Sequence, residues 1–231
     1  MDDIFENASE NFLELSSHQR LQILFQLLEN KSKASIMAKK LDATNQEIHR
    51  NLLRLEDGGF ISRVKDGSYI LTTYGKTMCS QVPALVFLSK NRKYFESHEF
   101  GDVPQKFVLR VGQLSTGEYV KSITKVLETW RHIFETSKKY VYGILVEEPL
   151  ELIEPVIKRA KAGVKVKSIF SEAANVPKNR KKILDKLGFD DLIKTQQVER
   201  KMKKNVKTVV VLNEKEACVS FPNHNGETNI A

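Results

Sequence analysis

The chain has 231 residues, 41% of them hydrophobic and 29% charged, enough for one large domain or two small ones with cores of their own. That composition excludes a disordered or fibrous protein, and no apolar run approaches the ~20 residues of a membrane span. The formal charge of +8 is unevenly spread: residues 1–80 carry 10 basic and 11 acidic groups, residues 81–231 carry 27 and 18. A basic surplus favours polyanionic partners. The start, MDDIFENASE, lacks the basic and apolar regions of a secretory signal. Cys79 and Cys218 are the only cysteines and show no CxxC or Cys/His spacing. A disulfide scaffold and a zinc finger are thereby excluded, and a cytoplasmic protein without metal or cofactor is expected.

Ser17 is a candidate N-cap for a helix whose apolar residues Leu21, Leu24, Phe25, Leu27 and Leu28 recur at helical spacing until Glu29-Asn30. A shorter amphipathic helix follows, with Ser32 as candidate cap and Ile36, Met37 and Leu41 on its apolar face. After a tight turn over 41–44, Thr44-Asn45-Gln46-Glu47 forms a capping-box pattern. Ile48, Leu52 and Leu55 then recur at i, i+4, i+7, giving a third helix with one buried stripe that Gly58-Gly59 ends. Residues 60–65 and 68–72 read as two strands joined at Asp66-Gly67, the strongest short hairpin signal. Three helices, the last two a helix-turn-helix, followed by a hairpin describe a winged helix-turn-helix.

The stretch Ser32–Gly75, with TNQEIHRNLLRLEDGGFISR and the closing LTTYG, resembles the archaeal and bacterial winged-helix regulators related to the arsenic-responsive repressors. With Ile48, Leu52 and Leu55 inward, Asn45, Gln46, His49 and Arg50 face outward beside the helix start at Thr44, with Leu53 and Arg54 further along. In a helix-turn-helix the start of the second helix enters the major groove, where Asn or Gln pairs with adenine and Arg with guanine. Free N–H groups at the same start point toward phosphate. Arg63 and Lys65 flank the hairpin tip, where a wing meets the backbone. His49 is a surface polar contact on this reading, because no partner sits at ligand spacing. Double-stranded DNA is the expected partner; a winged-helix module that binds only protein is the alternative, since fold does not dictate function.

Residues 74–100 read as one or two helices, with Pro83 starting the second or kinking one. They form either a dimer interface or a face packed on the next domain; Cys79 reads as a buried structural thiol. The loop 98–104 marks a boundary, a short helix follows over 105–111, and Ser115-Thr116-Gly117-Glu118 is a second capping-box pattern. It introduces an amphipathic stripe of Tyr119, Ile123, Val126, Leu127, Trp130, Ile133 and Phe134. Beyond it come a buried strand over 140–146, a helix from Pro149 to Gly163 and a strand over 164–170, the signature of a parallel unit. A basic helix over 178–187, a strand over 206–212 and a hairpin partner over 216–221 complete a mixed sheet. The stretch 177–207, with 11 Lys or Arg against four acidic residues, reads as a solvated face, with extra DNA backbone contact or an anionic effector as the alternative.

The fold class expected is therefore an α+β winged helix-turn-helix N-terminal domain (1–76), linker or dimerisation helices (77–104), and an α/β C-terminal domain with a mixed sheet (105–231). This second half resembles the effector domains of archaeal winged-helix regulators, especially the middle domain of methanogenesis-regulator-like proteins, itself similar to the phospholipase-D-like domain of sugar-responsive regulators. The phrases that carry this are the junction from Phe95-Glu96-Ser97-His98 to Pro104, the strand–helix–strand of 144–170, and VVVLNEKEACVSFP. The resemblance implies a cytoplasmic homodimeric transcription regulator whose C-terminal part dimerises or binds a small effector, and relatives of this type continue beyond the position of Ala231. No catalytic residue is assigned. None of the five histidines opens the His-x-Lys-x4-Asp pattern of phospholipase-D-type enzymes, and no GxSxG, GxGxxG, Walker or HExxH motif occurs.

Overall fold

In the computed structural model, which describes residues 2–228, the chain divides into two compact units. Residue 1 and residues 229–231, the ends of the expected 1–76 and 105–231 ranges, lie outside the described residues. The first unit runs to Ser89 and includes Val111–Ser115; the second comprises Lys90–Arg110 and the chain from Thr116.

The first unit opens with α1 (Asp2–Leu15), an addition to the helices expected from the sequence. Helices α2 (His18–Glu29), α3 (Ala34–Lys40) and α4 (Asn45–Asp57) follow. Ser17 caps α2 as expected, its hydroxyl accepting from the Arg20 N–H, whereas α3 is preceded by Lys33 with no side-chain cap. Ser32 instead pairs with Tyr69 through two backbone bonds, which adds a bridge to the wing strands β1 (Ile61–Arg63) and β2 (Tyr69–Leu71). Gly59 adopts φ 73°, the left-handed conformation that ends α4. Helix α5 (Thr73–Lys90) runs through Pro83 without a break. The core joins Ile23 and Leu24 of α2, Met37 of α3, Ile48, Leu52 and Leu55 of α4, Phe60 and Ile61, and Cys79 of α5. Burial pushes the Cys79 thiol pKa up, which keeps it protonated and unreactive.

The second unit begins with the short helices α6 (Arg92–Phe95) and α7 (Gln105–Val108). The segment 90–110 is tied to the residue that follows the unit's last strand: the Tyr94 hydroxyl donates to the Phe221 carbonyl and accepts from the Phe221 N–H, at 3.2 and 3.1 Å. The capping-box pattern at 115–118 is not used. Residues 111–114 form a 3-10 turn instead, and α8 (Ile123–Thr136) starts at Ser122, whose hydroxyl accepts from the Lys125 N–H. Tyr119, expected on the buried stripe, is largely exposed and meets the Tyr94 ring edge-on.

Strand β3 (Tyr140–Glu147), α9 (Leu150–Lys161) and β4 (Lys165–Asn175) form the expected parallel unit. Helices α10 (Arg180–Lys186) and α11 (Phe189–Lys194) lead into β5 (Val198–Lys203), parallel to β4. Strands β6 (Val209–Asn213) and β7 (Ala217–Ser220) are antiparallel, completing a sheet of order β5-β4-β3-β6-β7. The sheet is mixed, as expected. Trp130, Ile133 and Phe134 of α8 and Leu152 and Ala160 of α9 cover one face, over Val141, Val166, Val198, Val209 and Val211. The chain 177–207, expected as a helix and a solvated face, thus contains a second short helix and an edge strand.

The β6–β7 turn is locked by Glu214. Although burial raises its pKa, the N–H groups of Glu214, Lys138, Lys139 and Tyr140 bring it down to about 2. The closest of these bonds, from the Lys138 N–H, is 2.7 Å. A depressed carboxylate pKa stabilises the fold above the unfolded value and ceases to do so as pH falls through the folded value. Glu214→Gln is therefore expected to melt below wild type at pH 7, with the difference closing between pH 4.5 and about 2 in a calorimetric pH series.

Candidate nucleic-acid interface

Helix α4 is the second helix of the helix-turn-helix, and its start is built by local chemistry. The turn after α3 places Asp42 at φ 48°, reversing the chain within four residues. The capping box forms as the sequence pattern indicates: the Glu47 N–H donates to the Thr44 hydroxyl at 3.2 Å, and the Thr44 N–H donates back to the Glu47 carboxylate at 2.9 Å. The Thr44 hydroxyl also donates to that carboxylate at 2.8 Å. These bonds hold the Glu47 pKa below the usual carboxylate range, so a negative charge stays at the start of α4. Thr44 is thus engaged in the cap. A phosphate at this helix start would meet the Glu47 carboxylate, which weakens the expected use of the helix terminus as a phosphate site.

The other face of α4 is fixed from below. Ile48, Leu52 and Leu55 are fully buried, and rotation of the helix is opposed by a polar network that the sequence did not reveal. Arg20, 7% exposed, donates from Nε to the Glu14 carbonyl at 2.9 Å and from Nη2 to the Leu13 carbonyl at 2.8 Å, gripping the end of α1. Its Nη1 reaches Asn51 of α4, and the Asn51 amide donates to Gln19 and to the Glu47 carbonyl. Glu14 pairs with both Arg20, at 3.0 Å, and Arg54, at 2.5 Å. Arg54 therefore braces α4 against α1.

Asn45, Gln46, His49 and Arg50 all point outward and are exposed. Their side chains make no hydrogen bond or ion pair among the described residues. Exposed Lys39 and Lys40 end α3, the helix that crosses the backbone in this arrangement. The wing is held by the Val64 N–H donating to the Ser68 carbonyl and by Lys31 paired with Asp66 at 2.7 Å. That pair removes the negative charge at the tip from the reckoning, leaving exposed Arg63 and Lys65 to set its sign. Arg63 leans over the Tyr69 ring, 5.9 Å from its centroid, while Lys65 has no side-chain partner among the described residues.

Residues 11–88 match the family model of the N-terminal domain of the methanogenesis regulatory protein FilR1. The match falls on the winged helix, whereas the sequence resemblance to methanogenesis regulators lay in the second half. No curated protein matches the chain. Among solved structures, HlyU from Vibrio cholerae is similar at 24% identity, covering 37% of this chain and 97% of its own, with a TM-score of 0.33. TrmBL2, an archaeal chromatin protein whose structure shows a novel mode of DNA binding, is similar at 13% identity, covering 90% of this chain and 80% of its own, with a TM-score of 0.35. The riboflavin-derivative dimethyltransferase RosA from Streptomyces davawensis is similar at 12% identity, covering 88% and 67%, with a TM-score of 0.32. With every one of these scores below one half, the weight rests on the family match and on the geometry of α4.

Among the described residues no helix is long and apolar enough to cross a membrane, and no group of three His, Cys, Asp or Glu is placed to hold a metal ion.

Proposed function

We propose that the chain is a sequence-specific, DNA-binding transcription regulator of the cytoplasm, not an enzyme, acting as a homodimer whose second unit senses a small ligand or dimerises. The observation that carries this reading is the outward face of α4. Asn45, Gln46, His49 and Arg50 stand exposed and uncommitted while the opposite face and the Arg20–Asn51 network hold the helix rigid. Preorganised donors on a rigid helix are what base-edge recognition requires. The match of residues 11–88 to a regulatory protein's N-terminal domain supports the same reading.

Dimerisation is supported by apolar side chains left in water by two helices of the first unit. Phe5 and Phe12 on α1, and Leu85 and Val86 on α5, are about half exposed or more. Leu53, 58% exposed on α4 itself, favours a second reading, a winged-helix module that binds another protein. Selection of bound duplexes from a random pool separates the two. The regulator reading expects enrichment of an inverted repeat with half-sites about one helical turn apart. Recovery of no sequence above background supports the protein-binding module.

A further inference from the structure

We propose that the cavity between the helices and the sheet of the second unit binds a small monocarboxylate with an apolar body. The cavity, with about 60 Å³ of space for the centre of a water-sized sphere and an opening to solvent, lies over the centre of the sheet. Its floor is a cross-strand row. Val211, Gly143, Ser168 and Arg200 are register neighbours on β6, β3, β4 and β5, and all line the space. Gly143 does not have a positive φ, so the backbone does not demand a glycine there; what the missing side chain provides is room.

One end of the row is polar. The Arg200 guanidinium lies 4.4 Å from the Phe170 ring centroid and 5.1 Å from that of Phe189, clamped between two aromatic faces. Its Nη2 donates to the Glu148 carboxylate at 2.7 Å, and Arg180 donates from Nε to the other oxygen of the same group. Two guanidinium groups thus share one carboxylate; Glu147, which is exposed, and Lys167, which is paired with Glu199, also line the cavity. Arg200 Nε and Ser168 Oγ are buried and find no partner among the described residues, although buried N–H and O–H groups are nearly always paired. Both residues line the cavity, and a carboxylate placed between them accepts from each.

The remainder of the lining is apolar, with Trp130, Phe134, Val156 and Leu184 among its walls. A mostly apolar hollow with a few convergent donors fits a small ligand with one charged end. A carboxylate brings two accepting oxygens to the unpartnered Arg200 Nε and Ser168 Oγ, whereas the isosteric neutral amide brings one. This inference rests on the reading of the second unit as ligand-sensing.

The chain's single tryptophan, Trp130, lines the cavity and reports its occupancy. The full chain, free of DNA, is titrated with isovalerate and phenylacetate and with their amides, following tryptophan fluorescence. A saturable change is expected with the acids, with the amides binding about tenfold more weakly or worse. Ser168→Ala, which removes one hydroxyl, weakens the acids about tenfold. Gly143→Ala sets a methyl 3.3 Å from Leu145 Cδ1, narrows the floor without altering charge, and weakens both acids. Equal affinity for acid and amide overturns the proposal. So does unchanged affinity in Ser168→Ala, or the absence of saturation with both acids while circular dichroism shows wild-type folding. Because no DNA is present, a failure of DNA binding leaves these results intact, and a failure here leaves the α4 reading intact.

Discussion

Alanine in place of Arg50 or Gln46 is expected to lower affinity for the selected duplex by about 1–3 kcal/mol each, and to relax discrimination at one base position per substitution. Both side chains are exposed and make no contact that the fold depends on, so the thermal melt should not change. Lys65→Ala is expected to behave differently, weakening all sequences alike and reducing the slope of log affinity against log salt by about one. Arg54→Ala should act through its pair with Glu14, loosening α1 rather than altering base preference. Titrations by fluorescence anisotropy at several salt concentrations resolve the three behaviours. If Arg50→Ala and Gln46→Ala bind like the parent protein, α4 does not read the bases.

Gly75→Ala is expected to destabilise the first unit by about 3 kcal/mol or more, beyond the usual range for an added core methyl. A Cβ on Gly75 would stand 2.0 Å from the Phe60 carbonyl oxygen and 2.8 Å from its carbon, neither of which can rotate away. The site is the junction at which the wing is fastened to α5. The Phe60 carbonyl accepts from the Thr72 N–H at 3.0 Å, and the Thr72 hydroxyl donates to the Gly59 carbonyl at 2.7 Å while accepting from the Gly75 N–H at 2.9 Å. Relief of the clash requires α5 to move away from Phe60, a fully buried ring, and so opens the core that sets the position of α4. Urea denaturation gives the stability loss, and weakened duplex binding should accompany it. A midpoint equal to that of the parent would show that α5 tolerates closer approach than its packing implies.

The winged helix was legible because each of its parts is signalled within a few residues. The stripe of Ile48, Leu52 and Leu55 is a period of 3.6, the Thr44–Glu47 cap is a pairing three residues apart, and Asp66-Gly67 is a turn. Helix α1 carries a comparable signal, with Phe5, Ala8, Phe12 and Leu15 at i, i+3, i+7 and i+10, but no core of the first unit takes up most of that stripe. Its large apolar side chains Phe5, Phe12 and Leu13 are exposed rather than gathered on a buried face, and its place is fixed by Leu15 packing on the core, by Tyr74 donating to Asn11 and by Glu14 meeting Arg20 and Arg54. Strand β5 reads as a charged stretch, VERKMK, because the inward position beside Val198 is filled by Arg200, not by an aliphatic residue. An edge strand rich in lysine also discourages pairing with another sheet.

The amino-acid sequence by itself determined helices α2 to α4 and the hairpin after them, the outward face of α4 and the parallel strand–helix–strand, since these depend on spacings of two to four residues along the chain. Only the tertiary structure decided that Arg54 faces α1, that Asp66 is paired with Lys31, and that Gly143, Ser168 and Arg200 lie side by side. Those juxtapositions join residues 25 or more positions apart. Side-chain pattern specifies which face of an element is buried, but which distant residue lies opposite is set by how whole elements pack and register.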